Sequence, residues 1–187
     1  MEKLHDGLDL TKQKDQDKYK EEFFTLLKSE FIETRRFPGA FFCLIGADGI
    51  PHINVQTFEG PEEYIKAHKR GMALSLREMA AKVDAVRYLY AAEAFSTIHD
   101  IDTPAKDIKM PRKDPKAVSV LMFVDEKVDE ASIEVFQILK GENTVRLENY
   151  PKDRKEPMIM KSGSKAALGG KGALFQNIVF KPEGEVV

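Results

Sequence analysis

The chain has one cysteine, Cys43, so no internal disulfide framework can hold it, and this usage fits a reducing compartment. It also lacks a charge of one sign. Lys+Arg 29 against Asp+Glu 31 leave a net charge of -2, and no global field points to nucleic acid or anionic lipid. No apolar run approaches the roughly 20 residues that a spanning helix needs. The first residues, Met1 to Gly7, are polar and contain no apolar signal core, so a cytoplasmic location is expected, without a membrane partner. What is present suffices for a folded domain. The 187 residues are 42% hydrophobic and 32% charged, which excludes a wholly disordered chain. At this length folding can bury roughly 70% of the unfolded surface.

Residues 1–15 are charged and aperiodic and are expected to form a mobile arm, followed by one α+β domain over 16–160. A helix is expected from about Gln16 to Arg36, with Tyr19, Phe23, Leu26, Leu27, Glu30 and Phe31 as its stripe. Arg35 and Arg36 would fill the last turn, where the helix dipole favours cations, and Phe37-Pro38-Gly39 would end it. Ala40–Gly46 and Ile50–Phe58 read as strands around Asp48-Gly49, a hairpin signal because both central residues of a type I′ turn need positive φ. A two-residue loop there pairs Ile45 with His52, Cys43 with Asn54 and Phe41 with Gln56, and gathers Phe42, Leu44, Ile53 and Val55 on one face.

Gly60-Pro61-Glu62-Glu63 opens a second helix reaching about Val83, with Ile65, Met72, Leu76, Met79, Ala80 and Val83 as its stripe. Val86–Ile98 reads as a long strand, with Tyr88, Tyr90, Ala92 and Ala94 on one side and Leu89, Ala91 and Phe95 on the other. Val118–Val124 is apolar at both parities, as a central strand covered on both faces would be. Ser132–Leu139 and Thr144–Tyr150 flank Gly141-Glu142-Asn143 as a hairpin. Asp129 could instead cap a helix over 131–139, but the alternation of Val145-Arg146-Leu147 favours strands. Residues 161–172 are expected to be a flexible Gly/Ser-rich linker, and 173–187 a final strand and tail.

The fold class expected is therefore α+β: a single antiparallel five- to six-stranded sheet, a meander with hairpins, packed by two main helices. This element order is similar to that of roadblock and profilin-like domains, scaffolds that host many functions.

Several constellations are candidates for chemistry. In the two-residue-loop register, Cys43 shares a face with Asn54 opposite and His52 on the diagonal, the residue types of a Cys-His-Asn site. Cys43 is nevertheless mid-strand among apolar residues, with no helix N-terminus or cation to activate it, and packs there as a small hydrophobe. The histidines His5, His52, His68 and His99 form no H-x-H or H-x₃-H pair, so no metal set is assigned. Gly163–Gly172 fails the phosphate-loop pattern, because Lys165 stands where Gly is required and Gly172 where Ser or Thr is.

Glu93 interrupts an apolar strand and would need a partner such as Arg87, Arg112 or Arg146 if buried. His99-Asp100 with Asp102 follows at the strand's end, where carboxylates and an imidazole could hold a divalent ion. The connection 99–116 then exceeds the ~12–15 residues common for loops. Lys106, Lys109, Arg112, Lys113 and Lys116 there oppose Asp100, Asp102, Asp107 and Asp114. That balance makes no funnel for phosphates, and no aromatic residue offers base stacking, so nucleic acid is an unexpected partner.

Glu93, His99, Asp100, Asp102, Lys109, Arg112 and Lys113 are accordingly the candidate binding residues. No catalytic residue, resident metal or cofactor is assigned. The function expected is a non-enzymatic protein-interaction module that associates with a protein partner or with itself as a homodimer. The alternative is a small metal-dependent hydrolase with its carboxylate/His site near the end of the 86–98 strand.

Overall fold

The computed structural model describes residues 7–57, 75–97, 115–127, 130–142, 144–153, 156 and 158–161. The chain forms an α+β fold with a single antiparallel sheet. Its elements are helix α1 (Gln13–Thr34) and strands β1 (Ala40–Gly46), β2 (Pro51–Gln56), β3 (Ala85–Ser96), β4 (Val118–Lys127), β5 (Glu130–Lys140), β6 (Val145–Asn149) and β7 (Met158–Lys161). Residues 75–82, here α2, are helical. The strand order is β2-β1-β3-β4-β5-β6, with β7 pairing β5. The sheet meanders from β3 onward, while β1 lies between β2 and β3.

The helices cover opposite faces. Tyr19, Phe23, Phe24, Leu27 and Phe31 of α1 pack on Phe41, Cys43, Ile45, Leu89, Ala91, Leu121 and Phe123. Leu76 and Ala80 of α2 pack with Phe42, Leu44, Tyr88, Tyr90 and Val124. Successive strand residues point to opposite faces, so β1 faces α1 at odd positions and α2 at even ones. All seven of its residues are buried, which explains its unbroken apolar run.

Several expectations shift in detail. Phe24 rather than Leu26 joins the buried stripe of α1, and Leu26 is exposed. The helix begins at Gln13, and Leu10 ahead of it is buried, its carbonyl accepting a bond from Gln16 Nε2 at 2.8 Å. It stops at Thr34, so Arg35 is not in the last turn. Arg35 is the C-cap in the left-handed region (φ 63), its N–H donating to the Phe31 carbonyl, a usual way to end a helix. Met79 lies at the surface of α2, while Ile65 and Met72 fall outside the described residues. The 131–139 run is strand, paired with β4 on one side and β6 on the other.

The largest correction is the β1–β2 register. Leu44 pairs with His52, Cys43 with Ile53 and Phe42 with Asn54, one residue away from a two-residue loop. Gly46 N–H donates to the Ile50 carbonyl at 3.1 Å, and Gly49 N–H to the Gly46 carbonyl at 2.9 Å. Ala47, Asp48 and Gly49 thus form a three-residue loop, the geometry in which a left-handed residue closes the turn. Gly49 takes that place with φ 78, and Asp48 Oδ1 accepts the Ile50 N–H at 2.9 Å. The extra residue reverses which side chains share a face: Ile53 packs on the α1 side with Cys43, away from Phe42 and Leu44.

A side chain at Gly49 would be disfavoured twice, by its positive φ and by Thr11 N and Leu10 C at 3.0 and 3.2 Å from an added Cβ. Gly49→Ala is expected to destabilise the protein by ~1–2 kcal/mol, read as a lower urea midpoint. An unchanged midpoint would contradict this account of the loop.

Candidate functional site

Of the expected binding residues only Glu93 lies among the described ones. His99, Asp100, Asp102, Lys109, Arg112 and Lys113 fall outside them, as do the 173–187 strand and tail and the expected 161–172 linker apart from Lys161, which is the last residue of β7. Glu93 is exposed near the end of β3, and its Oε1 accepts the backbone N–H of Phe37 at 2.7 Å. That bond ties the chain leaving α1 to the sheet. Arg87, once a possible partner for Glu93, is engaged elsewhere.

The grouping of Cys43, His52 and Asn54 does not form. In the observed register Cys43 points towards α1, whereas His52 and Asn54 stand on the opposite parity, beside Leu44 and Phe42. Cys43 is fully buried, and its Sγ lies 3.8 Å from the Tyr19 hydroxyl. Burial pushes the Cys43 thiol up to about 12, so it stays protonated at neutral pH and lacks the thiolate that a nucleophile needs.

The polar cluster with the most contacts lies between α1 and the sheet. Arg87, 1% exposed, donates from Nε and Nη2 to the two carboxylate oxygens of Asp125, each at 2.7 Å. Its Nη1 donates to Asp17 Oδ1 of α1 at 2.8 Å, and Lys127 Nζ reaches the same oxygen at 3.4 Å. The register explains the meeting: Leu89 faces Asp125 and Arg87 faces Lys127, which makes Arg87 and Asp125 diagonal neighbours on the α1 face. A bidentate pair that satisfies a buried guanidinium is structural chemistry, with no group left over for a substrate. The strand's continuation through Asp125-Glu126-Lys127 was not expected from sequence. The alternation of Asp125 and Lys127 was its only signal.

The α2 face carries a second polar row. His52, Leu44, Tyr88 and Glu126 align across β2, β1, β3 and β4. Tyr88 and Glu126 are fully buried. Burial first, then Tyr90 and the Glu126 carboxylate, push the Tyr88 phenol well above its ordinary range, so it remains neutral. Among the described residues no group of three or more His, Cys, Asp or Glu is placed to hold a metal ion, and no helix is long and apolar enough to cross a membrane.

What distinguishes this chain is the contrast between its two sheet edges. Beyond β5, β6 pairs with Phe136–Lys140 and β7 with Glu130–Ile133. They form one interrupted edge, with Pro151 in the gap and Arg146 and Glu148 at its surface. Interruption, proline and charge are the devices that keep an edge from pairing. The β2 edge is uninterrupted and carries no charge, and its one proline, Pro51, stands at its first residue. Pro51-His52-Ile53-Asn54-Val55-Gln56 contains no Asp, Glu, Lys or Arg, and no described strand pairs with its outer side. Asn54 is exposed, and Val55 is 38% exposed.

Alternation from the Gly46–Ile50 bond turns the backbone groups of His52, Asn54 and Gln56 inward to β1. Those of Pro51, Ile53 and Val55 face out. Pro51 sits where a missing N–H costs the internal ladder nothing.

No family model, curated protein or solved structure matches this chain.

Removing Arg87 would strand the buried Asp125. Arg87→Met is expected to cost about 3–5 kcal/mol, measured by chemical denaturation, with Asp17→Asn milder because Asp17 is half exposed. Partial burial raises the Asp17 carboxyl, but Arg87 and Lys127 together outweigh it and hold it below 3.8. Its contribution is therefore complete above the unfolded value near 3.8 and is lost as pH falls through the lower folded value. Asp17→Asn should flatten part of that acid limb, and an unaltered limb would contradict the assignment.

Proposed function

We propose that this protein is a non-enzymatic interaction module that self-associates through the open edge of β2. The observation carrying this reading is the asymmetry of the sheet: one edge is interrupted and charged, while the other is continuous, neutral and unpaired among the described strands. Such an edge offers a row of backbone donors and acceptors to another strand, the chemistry of strand addition. A helix face is less suited. The exposed apolar residues of α1, Leu26 and Ile32, are six positions apart and lie on different sides of the helix, so they make no contiguous patch. The described polar groups favour the same reading, since Arg87 and Asp125 satisfy each other, Cys43 is protonated and Glu93 holds Phe37 N–H.

Light scattering coupled to size exclusion tests it. The wild-type chain should show a mass above its monomer value of 21.2 kDa, rising with concentration. Val55→Lys puts a cation on the half-open edge and should return the mass to the monomer value without lowering the urea midpoint. A wild-type chain that is monomeric at every concentration would overturn the proposal.

A further inference from the structure

We infer that the strand received by the β2 edge is β2 of a second copy, antiparallel, with Asn54 on the two-fold axis, so that one sheet runs through both chains. This rests on the reading of β2 as the contact element and adds the partner's register.

The occupant follows from the composition of the strand. An edge without charge presents nothing to repel a copy of itself, and a two-fold axis perpendicular to the sheet is the operator that pairs a strand antiparallel with its own copy and closes the assembly at two. A partner of opposite charge would find no complementary group along Pro51–Gln56.

Pro51 and the length of β2 together limit the register. An axis at Val55 would set Ile53 against Thr57, beyond the end of the strand, whereas one at Asn54 keeps the bonded pairs within it. The outward backbone groups belong to Pro51, Ile53 and Val55, and Pro51 has a carbonyl but no N–H. With the axis at Asn54, Ile53 of one copy lies opposite Val55 of the other. Each of these residues then both donates and accepts, and Pro51 falls outside this centre, opposite Thr57. With the axis one residue earlier, at Ile53, Pro51 would lie opposite Val55 and leave the Val55 carbonyl without a donor inside the interface. An orphaned backbone carbonyl disfavours that arrangement. An axis midway between two residues would set outward backbone groups against inward ones and is excluded by the ladder's alternation.

Side chains agree with the Asn54 register. Ile53 and Val55 meet on the α1 side in two apolar cross-strand pairs. On the α2 side His52 lies opposite Gln56, and Asn54 faces its own copy amide to amide. Asn54 is exposed, and its Oδ1 accepts from Gln56 Nε2 at 3.1 Å, so its amide N–H groups remain to bond across the axis.

Disulfide trapping reads the register directly. A residue on the axis forms a non-hydrogen-bonded pair with its copy, with Cα atoms about 4.5 Å apart, within the range that a disulfide spans. Asn54→Cys in the full chain should therefore oxidise in air to a disulfide-linked dimer that thiol reductant reverses. Ile53→Cys is tested together with Cys43→Ala, because Cys43 stands directly opposite Ile53 and would close an intrachain disulfide. Displaced from its copy by two residues along the strand, Ile53→Cys should give about tenfold less. The wild-type chain, whose Cys43 is buried, is the blank and should give none.

The outcomes separate the inference from the function. Efficient trapping at Asn54→Cys with little at Ile53→Cys supports the register. Trapping mainly at Ile53→Cys overturns it, as does a wild-type dimer by light scattering in which Asn54→Cys stays reduced; in both cases self-association itself stands. A monomeric wild type with no trapping overturns both.

Discussion

One backbone constraint orders the rest of the molecule: the three-residue turn that closes β1 on β2. Gly49 supplies the left-handed residue and Asp48 the side-chain acceptor, and together they fix the pairing of Leu44 with His52. Because side chains alternate across a strand, a slip of one residue would exchange the two faces of β2. The observed parity buries Ile53 with Cys43 under α1 and sends His52 and Asn54 to the other side. It also decides which backbone groups of β2 remain for an outside strand, and therefore what the edge can do.

The sheet itself is held from both faces. Aromatic side chains dominate the α1 side, where Phe24 and Phe123 lie 4.8 Å apart and Phe37 and Phe41 4.9 Å apart, centroid to centroid. Lys28 closes part of that layer from solvent, its ammonium 4.2 Å from the centre of the Phe136 ring and 3.4 Å from Glu134. Such packing is largely non-directional. Orientation comes from the ionic node of Arg87, Asp125 and Asp17, which joins α1 to β3 and β4 at one defined point. A buried pair of this kind contributes less net stability than its short distances suggest, and its removal is harmful because the surviving partner is left charged and dry.

Much of this architecture was legible in the sequence, for identifiable reasons. The double-parity apolar run of β4 marked a strand covered on both faces, and the alternation around Val145 separated strand from helix at β5. The hairpin was legible as a hairpin but not in register, because Asp48-Gly49 fits two- and three-residue loops alike and the difference shows only in the backbone bonds of Gly46 with Gly49 and Ile50. That ambiguity was enough to suggest a Cys43, His52 and Asn54 grouping that the fold separates. The ionic node was hidden for a different reason. Arg87 and Asp125 stand far apart in sequence, and nothing local shows that two strands will set them on a diagonal. The short β7, Met158–Lys161, was not legible because four residues are too few to show an alternation.

The functional account rests on an edge, and so on backbone atoms more than on side chains. A neutral strand with alternate N–H and C=O groups turned outward offers little side-chain chemistry, so neither catalytic motifs nor charge patterning in the sequence could mark it. In the proposed self-association its part is set by what the described strands leave unpaired. Amide hydrogen exchange measured across a concentration series tests this most directly. The account expects the Ile53 and Val55 amides to exchange more slowly as concentration rises, while those of His52, Asn54 and Gln56, already bonded to β1, stay protected throughout. Ile53 and Val55 amides that exchange at one rate at every concentration would contradict it.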